Sequence, residues 1–286
     1  PLGIVVRMTV GFFLPAAILS AVPPVVVKLR LATLEQTGTV VGSYSAVGTA
    51  GGIFGTFFTG FVLIAAFPTR PIVIAVGTAL VIGGLALWGR FGRAGLNATA
   101  AGLVLIGGMF ALPGPCDFET TYSCAVIRAD LDRPGGRTLI LDQVSNSYVD
   151  LEDPTHLEFR YAKVVADVID TMLPDGPITA TSIGGGGFTF DAYLKATRPG
   201  TRHVTLEIDR ELVAIGHRYL GLAGDAEVVV DDARRSLPRL GRGVADFVLG
   251  DAFSGLSVPW HLTTVEFVTD IADHLAPHGI YVMNVI

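Results

Sequence analysis

Charge is what the first 112 residues lack. Over that length the only formal charges are Arg7, Lys28, Arg30, Glu35, Arg70, Arg90 and Arg93, and nearly all of the 26 acidic residues follow. A charge at mid-bilayer costs roughly 2.5–3.5 kcal/mol on insertion scales, so long charge-free stretches are what a membrane span requires. No acidic residue or histidine falls within these apolar stretches, which leaves a proton- or ion-coupled transport relay nothing to use. Cysteine is scarce as well: Cys116 and Cys124 lie eight positions apart and lack partners for a zinc site. The six histidines are scattered, and no metal is expected. No G-x-S-x-G elbow and no Ser-His-Asp order stands out. A net charge of −6 without a basic stripe argues against nucleic acid.

Four segments read as spans: 10–27, 39–67, 71–88 and 94–112. About 20 apolar residues cross the roughly 30 Å hydrocarbon layer, so the last three are long enough, while the first is marginal and interrupted by Pro15, Pro23 and Pro24. A multi-pass cell-membrane protein in contact with the lipid bilayer is therefore expected. Gly48, Gly51, Gly52 and Gly55 recur at four-residue spacing, which permits close helix approach. Lys28, Arg30, Arg90 and Arg93 place their loops in the cytoplasm and the following domain outside, whereas Arg7 and Arg70 argue the reverse. Cys116 and Cys124 are either two thiols or a disulfide, and a disulfide needs an oxidising compartment.

After residue 112 the pattern changes. Two β-rich runs, 121–129 and 137–144, flank the turn cluster Asp132-Arg133-Pro134-Gly135-Gly136 and read as a hairpin. A helix over 157–173 ends at Pro174. Strands at 178–183, 204–208, 227–230, 245–249 and 280–286 then alternate with helices starting at Phe188, Arg210, Arg234 and Thr263. That alternation predicts right-handed crossovers, a parallel sheet, and a ligand site beyond the carboxyl ends of its strands. The organisation expected is thus 1–112 transmembrane helices, 113–150 linker and β-hairpin, and 151–286 a Rossmann-like α/β domain.

Those strand ends carry chemistry. The first runs into Gly184-Gly185-Gly186-Gly187, where absent side chains admit a ligand close to the backbone. The second ends in Leu206-Glu207-Ile208-Asp209, with an acid about 20 positions after the glycines, where ribose hydroxyls are gripped. The third ends in Asp231-Asp232-Ala233 and the fourth in Gly250-Asp251-Ala252-Phe253. A carboxylate at any one of these positions also serves as a helix N-cap.

With Leu141-Asp142-Gln143-Val144 and Glu158-Phe159-Arg160-Tyr161, these motifs make residues from about 139 to 286 resemble the polyamine aminopropyltransferases (spermidine synthases). The whole chain looks like the branch in which membrane spans precede such a domain. The resemblance implies a class I methyltransferase or spermidine synthase type fold and an S-adenosylmethionine-derived co-substrate, most simply the decarboxylated form. Gly184, Gly185 and Gly186 would cradle the donor, Glu207 would hold its ribose, Asp232 and Ala233 its adenine, and Asn146 would stand where the family touches the nucleoside with glutamine. Asp251 falls at the catalytic aspartate and Tyr161 at a tyrosine lining the amine groove, with Ser254 and Trp260 assigned to the small-molecule amine acceptor. The family also implies a homo-oligomer. Three family acids are replaced, by Gly187, Ser254 and Lys163, so an altered acceptor site or loss of the reaction is expected. A methyltransferase and a non-catalytic nucleoside-binding or structural domain are the alternatives. The chain begins without methionine and stops at its fifth strand, where the family would continue.

Overall fold

A computed structural model describes residues 2–31, 33, 36–86, 114 and 116–285. The chain divides into two compact units, Pro1–Ala66 and Phe67–Ile286. In the first, α1 (Leu2–Arg30) runs through Pro15, Pro23 and Pro24 as one helix, so the prolines that made the first span marginal do not end it. The second helical run, α2 (Thr37–Ala66), is interrupted by a π-helical turn at Thr59–Leu63. None of its residues up to Phe58 is buried, although it is apolar on every side, a surface suited to lipid rather than water. Thr56 donates its hydroxyl to the Gly52 carbonyl at 2.9 Å, so this polar side chain is satisfied within the helix. No described atom lies within 4 Å of where side chains at Gly48, Gly51, Gly52 and Gly55 would begin, so the packing partner expected for this stripe is not among the described residues.

The second unit opens with α3 (Thr69–Ala86), whose early Arg70 amide donates to Glu119 at 3.0 Å. By length and composition α2 and α3 are the two helices, among the described residues, able to cross a bilayer. Two are fewer than the four spans expected. The fourth expected span, with Arg90 and Arg93, lies outside the described residues.

A four-stranded antiparallel sheet follows: β1 (Phe118–Glu119), β2 (Cys124–Ala129), β3 (Gly136–Leu141) and β4 (Val144–Asp150). β2 and β3 form the expected hairpin, with Val126 opposite Ile140. The second run does not continue to Val144. The chain reverses at Asp142 and Gln143, which hold φ of 50° and 81°, the left-handed geometry of a two-residue hairpin turn, and β4 returns along β3. Cys116 and Cys124 are joined by a disulfide.

After α4 (Arg160–Met172) the expected alternation follows, except that the last strand starts five residues before the expected 280 and ends at Met283: β5 (Thr179–Ile183), α5 (Thr189–Thr197), β6 (Arg202–Glu207), α6 (Arg210–Tyr219), β7 (Glu227–Val230), α7 (Ala233–Ser236), β8 (Ala245–Gly250), α8 (Val265–His274) and β9 (Leu275–Met283). The sheet is wholly parallel in the order β7-β6-β5-β8-β9, a Rossmann-like core. Side chains alternate between its faces: Phe247 and Leu249 pack with Ile169 and Leu194, and Val248 packs with Leu237, Phe267 and Ile271. Burial on both faces explains why these strands read as continuous apolar runs. From β5 the chain crosses to β6 on one side, and later to β8 on the other, so a crevice opens between the ends of β5 and β8.

Candidate functional site

A cavity of about 590 Å³ opens at that switch point, between the parallel strand ends and the antiparallel sheet. Gly184 (φ 95°) ends β5, and a side chain there would begin 2.6 Å from the Asp251 carbonyl oxygen. Only glycine allows the ends of β5 and β8 to approach so closely at this φ. The Gly184 amide donates to Leu206 O and the Asp251 amide to Ile183 O, both at 2.9 Å, so three strand ends are locked around the crevice.

The strand-end acids divide by role. Asp209 and Asp232 cap helices: Asp209 accepts from the amides of Glu211 and Leu212, and Asp232 from Arg234. Glu207 and Asp251 cap nothing. Glu207 is 6 % exposed, and its two oxygens accept from the amides of Gly185 (2.8 Å) and Asp209 (2.9 Å). The backbone amides of Gly186 and Ile208 also bear on this carboxylate, which lines the cavity as a hydrogen-bond acceptor. Burial pushes its carboxyl upward against those amide bonds. Burial likewise pushes Asp209 up to about 6.

Asp251, at the end of β8, is held from two sides. Tyr161 on α4 donates its hydroxyl to Oδ2 at 3.0 Å, and Asn284, just past β9, donates Nδ2–H to Oδ1 at 2.9 Å. Burial raises the Asp251 carboxyl, and these two donors oppose it. Tyr161 is pushed far up by burial and by the Asp251 charge, so it stays a donor.

Asn146, Gly184, Gly186, Glu207, Asp232, Ala233, Asp251, Tyr161 and Ser254 all line this one cavity. Gly185 stands behind it, with its amide spent on Glu207. Trp260 is not part of the wall: it is 80 % exposed, and its neighbours Pro259 and His261 face the cavity instead. The three replaced acids also separate. Ser254 lines the cavity, whereas Lys163 is exposed on α4 and outside the lining, so it brings no cation into the groove. Gly187 lies outside the lining too, and a side chain there would begin 2.5 Å from Ser147 Oγ.

Asn284 and Tyr122 escaped the sequence reading as site residues, whereas His261 belongs to the Pro259-Trp260-His261 run expected beside Asp251 and does line the cavity. Asn284 fell inside the strand expected over 280–286, and it stands at a strand end because β9 stops at Met283. His261 Nε2 stands 3.4 Å from Asp232 Oδ2. Tyr122 lies on the loop closed by the disulfide. Its hydroxyl is pushed upward by burial and then by Asp209, Asp232, Glu207 and Glu211, which puts it over the acidic end of the cavity.

Two other constellations are structural. Ser182 Oγ lies 2.8 Å from His203 Nε2, and His203 Nδ1 lies 3.1 Å from Asp191. The void that Ser182 lines is about 20 Å³, which leaves no room for an acyl group at its hydroxyl, so this arrangement holds β5, β6 and α5 together. His274 and His278 stand four apart, but His274 is buried with its ring nitrogens on Thr181 and the Gly241 carbonyl. No cluster of metal-ligating groups occurs among the described residues.

The charge of the lining is acidic, although Asp231 is paired with Arg239 at 3.3 Å and Arg235 at 3.7 Å outside it. Among the described residues that line the cavity are six carboxylates, Asp142, Glu207, Asp209, Asp231, Asp232 and Asp251, and neither lysine nor arginine.

No family model matches the chain. Over 140 residues it is 29 % identical to the polyamine aminopropyltransferase of Chromobacterium violaceum, covering 48 % of this chain and 53 % of that protein. It is 28 % identical over 112 residues to a probable polyamine aminopropyl transferase of Bifidobacterium longum, covering 39 % and 25 %. A crystal structure of a probable spermidine synthase from Corynebacterium glutamicum superposes with a TM-score of 0.54 at 29 % identity, over 60 % of this chain and 64 % of that one. The chain thus spans about half or less of the curated relatives named here. The chain is similar in sequence to polyamine aminopropyltransferases over about half its length, and similar in fold to a probable spermidine synthase.

Proposed function

We propose that this chain is a membrane-anchored aminopropyltransferase that uses a decarboxylated S-adenosylmethionine-type donor and an altered acceptor site. The observation that carries this reading is the charge of the cavity. A donor that keeps its carboxylate brings an anion into a cavity lined by six carboxylates, of which Asp231 is paired with Arg239, and by no lysine or arginine. At about 4 Å, each like-charge approach costs on the order of 4 kcal/mol at an effective dielectric of 20. A decarboxylated donor is purely cationic and gains from the same field. That favours aminopropyl transfer over methyl transfer. The membrane anchor is supported by the apolar α2 and α3.

In the proposed reaction the glycine turn and Glu207 hold the nucleoside, and Asp232 and Ala233 border its base. The acceptor ammonium approaches Asp251, which takes up a proton and frees the nitrogen lone pair. That nitrogen attacks the methylene carbon beside the sulfonium. The N–C bond forms as the C–S bond breaks, the electron pair stays on sulfur, and methylthioadenosine leaves as a neutral thioether. Tyr161 and Asn284 fix Asp251 on the line of approach, so that proximity supplies much of the rate.

Calorimetric titration of the whole chain in detergent tests the reading. The decarboxylated donor is expected to bind at least ten-fold more tightly than S-adenosylmethionine, with the affinity lost in Glu207→Ala. Equal or tighter binding of S-adenosylmethionine overturns it in favour of methyl transfer. Binding of neither, by folded protein, leaves a non-catalytic domain.

A further inference from the structure

We propose that the acceptor is an amine with a single cationic centre and an uncharged remainder, rather than a diamine. This inference rests on the aminopropyl-transfer reading. The cavity's carboxylates are not spread evenly. Glu207, Asp209, Asp231 and Asp232 stand at the ends of β6 and β7, on the donor's side of the switch point. Asp142 sits on the β3–β4 turn, with Oδ1 engaged by the Cys124 amide at 2.8 Å beside the loop that carries Tyr122. Asp251 alone stands at the end of β8.

Lining the cavity about Asp251 are Tyr161 on α4 and Phe159 just before that helix, Phe253 and Ser254 from the following loop, and Asn284. None is charged. Asp251 already accepts one hydrogen bond on each oxygen, which leaves one lone pair on each, enough to receive a single ammonium. The far ammonium of a diamine would meet the half-buried rings of Phe159 and Phe253 and the exposed Ser254 hydroxyl, with no second carboxylate among these groups to pair it. Burying an unpaired charge is far more costly than burying a methyl or hydroxyl end at the same place. The wall that faces the remainder of the acceptor therefore selects an apolar or neutral polar chain. In the transfer itself the acceptor nitrogen gains the aminopropyl carbon and loses one proton to Asp251, and the second end of the molecule takes no part. Nothing in that step requires a second cation.

The test compares acceptors of one length, namely 1-aminobutane, 4-amino-1-butanol and 1,4-diaminobutane. The whole chain in detergent is supplied with the decarboxylated donor, and release of methylthioadenosine and product mass are followed. The two monoamines are expected to match or exceed the diamine in kcat/KM. In Ser254→Asp, which adds a carboxylate to the wall, the ratio of diamine to monoamine is expected to rise at least ten-fold. A ten-fold or greater preference for the diamine in the native chain overturns the inference while leaving aminopropyl transfer standing. Donor binding with transfer to none of the amines also overturns it. Failure to bind the donor removes the functional reading on which it rests.

Discussion

Asn284 and Asp251 lie 33 positions apart and meet at 2.9 Å, amide to carboxylate, across the ends of β9 and β8. The Asn284 backbone amide donates to Gly250 O at 2.8 Å, so the side chain is held in place by the pairing of the two strands. Its bond to Oδ1 is one of two that oppose the upward push of burial on Asp251. A hydrogen bond to a charged group contributes roughly 1.5–3 kcal/mol, and 1.4 kcal/mol is a factor of ten. Asn284→Ala is therefore expected to lower kcat about ten-fold or more. It should also move the acid limb of the pH–rate profile to higher pH, because Asp251 then holds its proton more tightly. Asn284→Gln, which restores a donor, should recover part of both. A fall in kcat with an unmoved acid limb would mean that Asn284 acts on packing alone.

A second prediction concerns stability and pH. Glu207, Asp209 and Asp251 all have carboxyls raised by burial, Asp209 to about 6 from an ordinary value of 3.8. Between the unfolded and folded values the native state binds more protons than the unfolded one, so stability falls as pH rises. The benefit is fully present below the unfolded value and is lost as pH passes through the folded one. Asp130, Asp150 and Asp153 are lowered and act in the opposite sense, but below the ordinary carboxylate range. The ligand-free protein is thus expected to melt at higher temperature at pH 5.5 than at pH 7.5, with the difference reduced in Asp209→Asn. A flat profile between those values would show that the cavity acids do not govern stability there. A cationic donor should reduce the difference too, since it stabilises the charged carboxylates at the higher pH.

The third prediction separates two of the replaced acids. A side chain at Gly187 begins 2.5 Å from Ser147 Oγ and 3.1 Å from Ser147 Cβ, behind the cavity wall. Gly187→Asp is expected to destabilise the domain by about 1–3 kcal/mol, the usual cost of overpacking, without improving the use of any diamine. Thermal melts and acceptor assays check this directly. Diamine activity gained at unchanged stability would mean that the loop moves to present position 187 to the ligand.

These contrasts mark what the sequence could and could not convey. The parallel sheet was legible because alternating apolar runs and helices admit few other arrangements, and the strand-end rule led directly to Glu207 and Asp251. The turn at Asp142 and Gln143 was not, because it adopts left-handed backbone without a glycine to announce it, which hid β4. Direction was invisible as well. Trp260 beside Pro259 and His261 looks like part of a pocket wall, yet only its neighbours face inward. Lys163 looks like a cation placed in the groove, yet it lies on the exposed side of α4. Spacing fixes which residues are near one another, and one turn of a helix or loop decides which of them reach a ligand. Asn284 was hidden too, because the last strand was expected to run to 286 and instead ends at Met283.

The disulfide between Cys116 and Cys124 closes a short loop whose tip carries Tyr122 and Ser123 into the cavity. Within that loop the buried Thr120 accepts from the amides of Tyr122 (3.2 Å) and Ser123 (2.8 Å), which shapes the turn beneath the Tyr122 ring. Closing a loop of this length stabilises a fold by roughly 2–3 kcal/mol in the chain-entropy account. Reduction, or Cys116→Ser with Cys124→Ser, should remove that much and also free Tyr122 from its place over the acidic end of the cavity. Donor affinity is therefore expected to fall several-fold in the reduced protein even at temperatures where it remains folded. Tyr122→Ala in the oxidised protein should reproduce the loss of affinity without the loss of stability. If reduction lowers the melting temperature while donor affinity stays constant, the disulfide is a staple for β1 and β2 alone, and Tyr122 has no part in holding the donor.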